Sequence, residues 1–286
     1  MHPLISSAEL AARLDDPMLR IYDCTTFLHP QPNGGPMRVE TGRRLYAEPG
    51  HIPGAALIEL QEDLSDPTNR LRFSMPSTQD LTRMFTAKGI GDGTEVVLYT
   101  AGDAWWATRV WWMLRALGFN DAAVLDGGLR KWIAEGRPLT KASSSYPPGA
   151  TLSVRPRELF TDRDGVLKAL DDGSALVVNC LRKDLHDGTA PYHYGRPGHI
   201  SGSVNAPAGS LFEKDGTFKT PAQLRAFFSD CGIVPGRNVI AYCGGGIAAT
   251  GDAFALTALL DQDGVLVYDN SLQEWANDPT LPMTAG

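Results

Sequence analysis

After the apolar run Asn238 to Tyr242 the chain reads Cys243-Gly244-Gly245-Gly246-Ile247-Ala248-Ala249-Thr250 and then enters an apolar stretch of helical character. A cysteine where a strand gives way to a helix, followed by three glycines, is suited to nucleophilic sulfur chemistry. Glycine reaches backbone angles closed to other residues, so consecutive N–H groups can turn inward and form an anion-binding nest at the start of a helix. Such a nest favours thiolate over thiol, and thiolate is the nucleophile. Phosphoryl chemistry at a loop of this kind needs an arginine at the sixth position after the cysteine to hold the phosphoryl oxygens. Here that position is Ala249, and no basic residue stands at the helix start.

The other three cysteines read differently. Cys24 and Cys180 close equivalent apolar runs and are expected as small core residues. Cys231, ahead of Gly232, ends a helix predicted over Pro221 to Asp230. No pair or cluster of cysteine and histidine has metal-ligand spacing. Neither a metal, an organic cofactor nor a disulfide framework is therefore expected.

The elements that must position Cys243 occur twice. Ile21-Tyr22-Asp23-Cys24 answers Val177-Val178-Asn179-Cys180, and Gly50-His51-Ile52-Pro53-Gly54-Ala55 answers Gly198-His199-Ile200-Ser201-Gly202-Ser203. Val96-Val97-Leu98-Tyr99-Thr100 answers Val239-Ile240-Ala241-Tyr242-Cys243, and Leu125 to Trp132 answers Tyr268 to Trp275, both 143 residues later. The apolar runs predict buried strands and the glycines tight turns. Helices predicted over Trp105 to Leu117 and Ala248 to Leu260 separate two strands in each half, which is the pattern of a parallel βαβ unit. The fold class is therefore α/β: two tandem domains, each a parallel sheet flanked by helices. The stretch from Gly136 to Pro156, rich in proline, serine and glycine, separates the copies, with domains expected over 1–147 and 148–286.

In the first copy Thr100 stands where the second has Cys243, followed by Ala101-Gly102-Asp103 and then Trp105-Trp106. An acid and two indoles make a poor anion nest, so the first domain is expected to be non-catalytic and to lend a wall to the site. Trp105, Trp106, Trp111 and Trp112 are expected in the helix core and between domains.

Composition agrees with this organisation. At 286 residues the chain exceeds a typical single core. With 43% hydrophobic and 21% charged residues it contains no apolar run near the ~20 residues of a membrane span. A basic segment followed by a long apolar one is missing at the N-terminus, so no secretory signal is read and a cytoplasmic location is expected. The net charge of −7, with both signs interspersed, argues against nucleic-acid binding, and an anionic ligand would need a local positive pocket.

These residues resemble the rhodanese superfamily, in particular its two-domain sulfurtransferases acting on thiosulfate or 3-mercaptopyruvate. The likeness rests on Gly50 to Ala55, on Arg109-Val110-Trp111-Trp112 with Leu125-Asp126-Gly127-Gly128, on Gly198-His199-Ile200 and on the loop Cys243 to Ala248. It implies that Cys243 attacks the outer sulfur of a small anionic donor, holds it as a persulfide and passes it to cyanide, a thiol or a thioredoxin-like protein. The loop residues Gly244, Gly245, Gly246, Ile247 and Ala248 would bind the persulfide. Their Gly-Gly-Gly is closer to the Gly-Ser-Gly of mercaptopyruvate enzymes than to the basic loop of thiosulfate enzymes. Gly245 and Ala248 replace a serine and a threonine of that pattern, so two hydroxyls are missing.

The resemblance also implies further site residues. Leu185 stands where the family has a substrate-binding arginine, and Arg196 is expected to supply the cation instead. Glu59 falls where mercaptopyruvate enzymes have an aspartate that handles protons. Arg182 is expected to pair with a nearby acid. His193 and His199 are expected to hold loops rather than catalyse. A persulfide carrier or redox-sensing module without turnover is the alternative function.

Overall fold

The computed structural model of the chain describes residues 1–31, 37–149 and 151–286. Two five-stranded parallel sheets form, one per repeat. The first runs in the order Leu4–Ile5, Ala122–Leu125, Glu95–Tyr99, Leu19–Asp23, Ala56–Leu57. The second, read from its matching edge, runs Phe160–Thr161, Val265–Tyr268, Val239–Tyr242, Leu176–Asn179, Val204–Asn205. The central strands are almost wholly buried, as helices covering both faces of a parallel sheet require.

The repeat extends to side-chain roles. The hydroxyl of Tyr99 accepts the N–H of Ile52 at 3.3 Å, and that of Tyr242 accepts the N–H of Ile200 at 3.0 Å. His51 stacks on Tyr46 and bonds the carbonyls of Tyr46 and Ala142, while His199 stacks on His186 and bonds its carbonyl. Both histidines thus hold their glycine turns.

Helix boundaries shift slightly from expectation. The first-copy helix covers Trp105–Ala116. Its counterpart is α-helical only over Ala249–Phe254 and continues as a wider π turn over Ala255–Leu259, which periodicity of apolar residues does not distinguish from α. The helix Pro221–Asp230 ends on Cys231, with Gly232 in the left-handed region. The chain between the sheets lies along the first domain: Gly149 N–H donates to Thr86, Arg155 to Leu117 and Arg157 to Ala116. Ala150, close to the expected boundary at 147/148, lies outside the described residues.

The two copies share one core. Trp106, Trp111 and Trp112 are buried, and the Trp111 ring meets Phe254 of the second copy edge-on at 4.9 Å. Thr108 and Thr250 hydroxyls bond across the same helix pair at 2.9 Å. Among the described residues no helix is long and apolar enough to cross a membrane. Phe254→Ala should lower stability by about 3–5 kcal/mol, the cost of truncating a large core side chain. Urea unfolding checks this, and a loss below ~1 kcal/mol would mean that the interdomain contact is not structural.

Candidate active site

Cys243 follows the central strand Val239–Tyr242 and is 2% exposed. It sits at the wall of a cavity of about 1050 Å³ that both copies line. The loop after it is fixed from the neighbouring strand end. The hydroxyl of Ser271 accepts the N–H groups of Cys243 at 3.0 Å and Gly246 at 3.2 Å, and donates to the carbonyl of Tyr268 at 2.8 Å. Leu272 and Gln273 N–H groups close on the carbonyls of Cys243 and Gly244. Ser271 itself has φ +51°, a strained value for a residue with a side chain.

Each glycine has its own reason. Gly246 has φ +71°, and a Cβ there would lie 2.3 Å from the carbonyl oxygen of Asp269. A Cβ on Gly244 would lie within the Tyr194 ring, so Tyr194 lies directly against the loop and excludes a side chain at that position. A Cβ on Gly245 would lie 3.3 Å from the Gln273 amide. Among the described residues, no protein group accepts the N–H groups of Gly244, Gly245, Ile247 or Ala248, all of which line the cavity beside Cys243. Four loop N–H donors near Cys243 are thus without a protein partner among the described residues.

The cavity carries three guanidinium groups, from Arg70, Arg72 and Arg182. Arg72 donates to the carbonyl of Met37 and, like Arg70, has no carboxylate partner among the described residues. Arg182 pairs with Asp184 at 2.5 Å, as expected, but it also lines the cavity and lies over the Tyr192 ring. Among the described residues the one acid in the wall is Asp103, whose carboxyl is pushed up by burial. Trp105, Trp106 and Phe73 of the first copy, with Leu185, Tyr192 and His193 of the second, complete much of the lining.

Two expected site residues are elsewhere. The Arg196 guanidinium donates to the carbonyls of Ala276, Leu281, Trp275 and Asp278, at 2.5 to 3.2 Å. With its donors committed to the backbone, it braces the C-terminal segment and is not part of the cavity wall. Glu59 is 5% exposed and forms a two-point ion pair with Arg43, also away from the cavity. Burial pushes its carboxyl up, but the bonds from Arg43 and Thr41 outweigh this and hold it below the usual range. It is a paired anion, not a proton donor to the site.

Sequence reasoning missed Tyr194, Ser271 and Arg72. Burial pushes the Tyr194 phenol up, and the nearby Cys243 adds to this, so its hydroxyl keeps its proton. Among the described residues no cluster suited to a metal ion is present.

Comparison with known proteins places these features. The chain matches the rhodanese-like domain over residues 6–135 and again over 163–278. It is 33% identical to a probable 3-mercaptopyruvate sulfurtransferase of Pseudomonas aeruginosa, over 99% of this chain and 98% of that one. It is 31% identical to the sulfur carrier protein TtuD of Thermus thermophilus, over 100% and 98%. With the thiosulfate sulfurtransferase of Rattus norvegicus it shares 34% identity over 82% of this chain and 79% of that one. The crystal structure of SseA from Escherichia coli, described with the rhodanese fold and mechanism of 3-mercaptopyruvate sulfotransferases, superimposes with a TM-score of 0.79 at 26% identity, covering 95% and 99%.

Gly246→Ala should lower stability by about 1–3 kcal/mol through backbone strain and collision with Asp269. It should also speed alkylation of Cys243 by iodoacetamide, because the loop that shields the thiol is displaced. Thermal unfolding and mass-resolved alkylation check this; wild-type values in both would mean that the loop tolerates a side chain there.

Proposed function

The chain belongs to the rhodanese family and is a sulfurtransferase, and from that premise we propose that it carries sulfane sulfur on Cys243, taken from a small anionic donor such as thiosulfate or 3-mercaptopyruvate. The observation that carries this reading is the set of N–H groups of Gly244, Gly245, Ile247 and Ala248, unpaired among the described residues, beside a cysteine at the wall of an arginine-lined cavity. An anion at that sulfur gains preorganised donors that need no reorganisation during reaction.

In the first half-reaction the Cys243 thiolate attacks the outer sulfur of the donor. A new S–S bond forms as the donor's bond to that sulfur breaks, and the electron pair leaves with sulfite or with the pyruvate enolate, which takes up a proton. In the second, an acceptor nucleophile attacks the terminal sulfur and Cys243 leaves as thiolate. The two steps share one site, so the kinetics are ping-pong. Arg72 and Arg182 hold the donor's charged end as guanidinium forks. Tyr194 offers the protonated hydroxyl that Gly245 and Ala248 do not, close enough to Cys243 to stabilise the leaving group or the persulfide.

The closeness of the lineage to a protein described as a sulfur carrier favours one second reading, in which the persulfide is loaded once and handed to a protein partner. Steady-state assay with excess donor and cyanide separates the two: repeated turnover supports the enzyme, and a single stoichiometric burst supports the carrier.

Intact-mass spectrometry after incubation with each donor should show one added sulfur on the wild type that cyanide or a thiol removes, and none on Cys243→Ser. Uptake by Cys243→Ser would overturn the assignment of the nucleophile. Arg72→Ala and Arg182→Ala should each raise KM for the donor by about tenfold, the worth of one lost charge-assisted contact. Arg196→Ala should lower thermal stability and leave KM alone; a raised KM in folded protein would return Arg196 to the binding site.

A further inference from the structure

Cys243 has a second thiol beside it. In the central ladder of the second sheet Tyr242 is in register with Asn179, and the N–H of Cys180 donates to the carbonyl of Tyr242 at 2.8 Å. Cys180 and Cys243 are thus the first residues beyond the ends of neighbouring parallel strands, whose backbones run about 4.8 Å apart. A disulfide joins Cα atoms roughly 4.4–6.8 Å apart, so this spacing is one that a disulfide can bridge. Both residues are free thiols, both are buried and both line the same cavity.

A further group surrounds Cys180 that packing does not explain. Asp252 is fully buried in the helix Ala249–Phe254, and among the described residues neither of its carboxyl oxygens has a nitrogen or oxygen partner from another residue. Its polar neighbour is the Cys180 thiol. Burial pushes the Asp252 carboxyl well up, and burial with the adjacent acid pushes the Cys180 thiol up as well. Burying an unpaired polar group costs a few kcal/mol. What the pair achieves is a protonated, slow thiol held next to the reactive cysteine.

We propose that Cys180 is a resolving thiol for the Cys243 persulfide: its sulfur attacks the inner sulfur of Cys243, forms the Cys180–Cys243 disulfide and expels the terminal sulfur as hydrosulfide. This rests on the persulfide reading above. The bond between Cys243 sulfur and the terminal sulfur breaks, its electron pair leaves on the terminal sulfur, and the Cys180 proton departs with it. Counted over loading and resolution together, the sulfane sulfur gains two electrons and the two cysteine thiols lose one each, so the donor's sulfane sulfur is itself the oxidant. A dithiol reductant reopens the disulfide. A neutral thiol is a weak nucleophile, so an acceptor that enters the cavity takes the sulfur first. When none enters, the high effective concentration of a neighbouring group lets the internal attack proceed. The cysteine is then held as a disulfide, off the path to irreversible oxidation.

The test is to load wild type, Cys180→Ala and Cys180→Ser with one equivalent of donor under anaerobic conditions, remove small molecules and follow intact mass and released hydrosulfide. The wild-type sulfur adduct should decay to a species two hydrogens lighter than the reduced chain, with stoichiometric hydrosulfide. A Cys180–Cys243 cross-linked peptide should appear and be lost on adding dithiothreitol, while both variants hold the adduct at least about tenfold longer. Equal decay in all three proteins, or decay without that peptide, overturns the proposal. If no protein takes up sulfur, the persulfide reading fails instead, and diamide oxidation decides the point. Selective joining of Cys180 to Cys243 supports the neighbouring-thiol geometry, and any other pairing overturns it.

Discussion

Taking a guanidinium out of water is costly unless its charge is met and its donors find acceptors. Arg109, on the first-copy helix Trp105–Ala116, is fully buried; its two terminal nitrogens find partners in three separate segments, while its Nε has none among the described residues. It pairs with Asp269 at 2.6 Å and donates to the carbonyls of Phe73 at 2.8 Å and Gly246 at 3.2 Å, while lying over the Phe160 ring. Asp269 in turn accepts the N–H of Met75 at 2.8 Å. One planar fork therefore fixes the helix of one domain, the cysteine loop of the other and the segment that carries Arg72. The loop's amide donors keep their positions because the carbonyl of Gly246 is held from behind.

Much of this was legible in the sequence because it is encoded by repetition. The constant 143-residue offset pairs Tyr99 with Tyr242 and Thr100 with Cys243, and the folded chain uses each pair at the same point of its sheet. Ser271 could have been found the same way: it occupies the position of Gly128, and the two share left-handed backbone angles, φ +51° and +57°. Tyr194 and Arg72 had no such signal. Tyr194 reaches Gly244 from 50 residues away and Arg72 from the other domain, so only the tertiary arrangement brings them in. Arg196 misled for a related reason. A free-looking cation near the site motif was in fact held by four carbonyls of a segment some 80 residues on.

The two loops at equivalent strand ends show how one frame yields different chemistry. In the first copy the Thr100 hydroxyl turns back onto the carbonyls of Gly102 and Asp103, satisfying its own loop, and Asp103 sits where a further donor would be needed. In the second copy the Ser271 hydroxyl, from outside the loop, accepts two loop N–H groups, whereas in the first copy the Thr25 hydroxyl accepts that of Ala101. Support from Ser271 takes the N–H groups of Cys243 and Gly246 and leaves those of Gly244, Gly245, Ile247 and Ala248 without a partner among the described residues, beside the sulfur. The same carbonyl-to-amide closure, Thr100 to Leu129 and Cys243 to Leu272, ties each loop to the next helix.

The wall built by Trp105, Trp106 and Phe73 ties the history of the molecule to its geometry. A tandem repeat in which one copy has no nucleophile looks like redundancy awaiting deletion. Here the first copy carries Thr100 at the position of Cys243, yet its removal would strip Arg109 from the loop and open Cys243 to bulk water. The halves are thus bound to be inherited together, and any shorter descendant of such a chain would have to rebuild that wall from a second subunit or a new insertion.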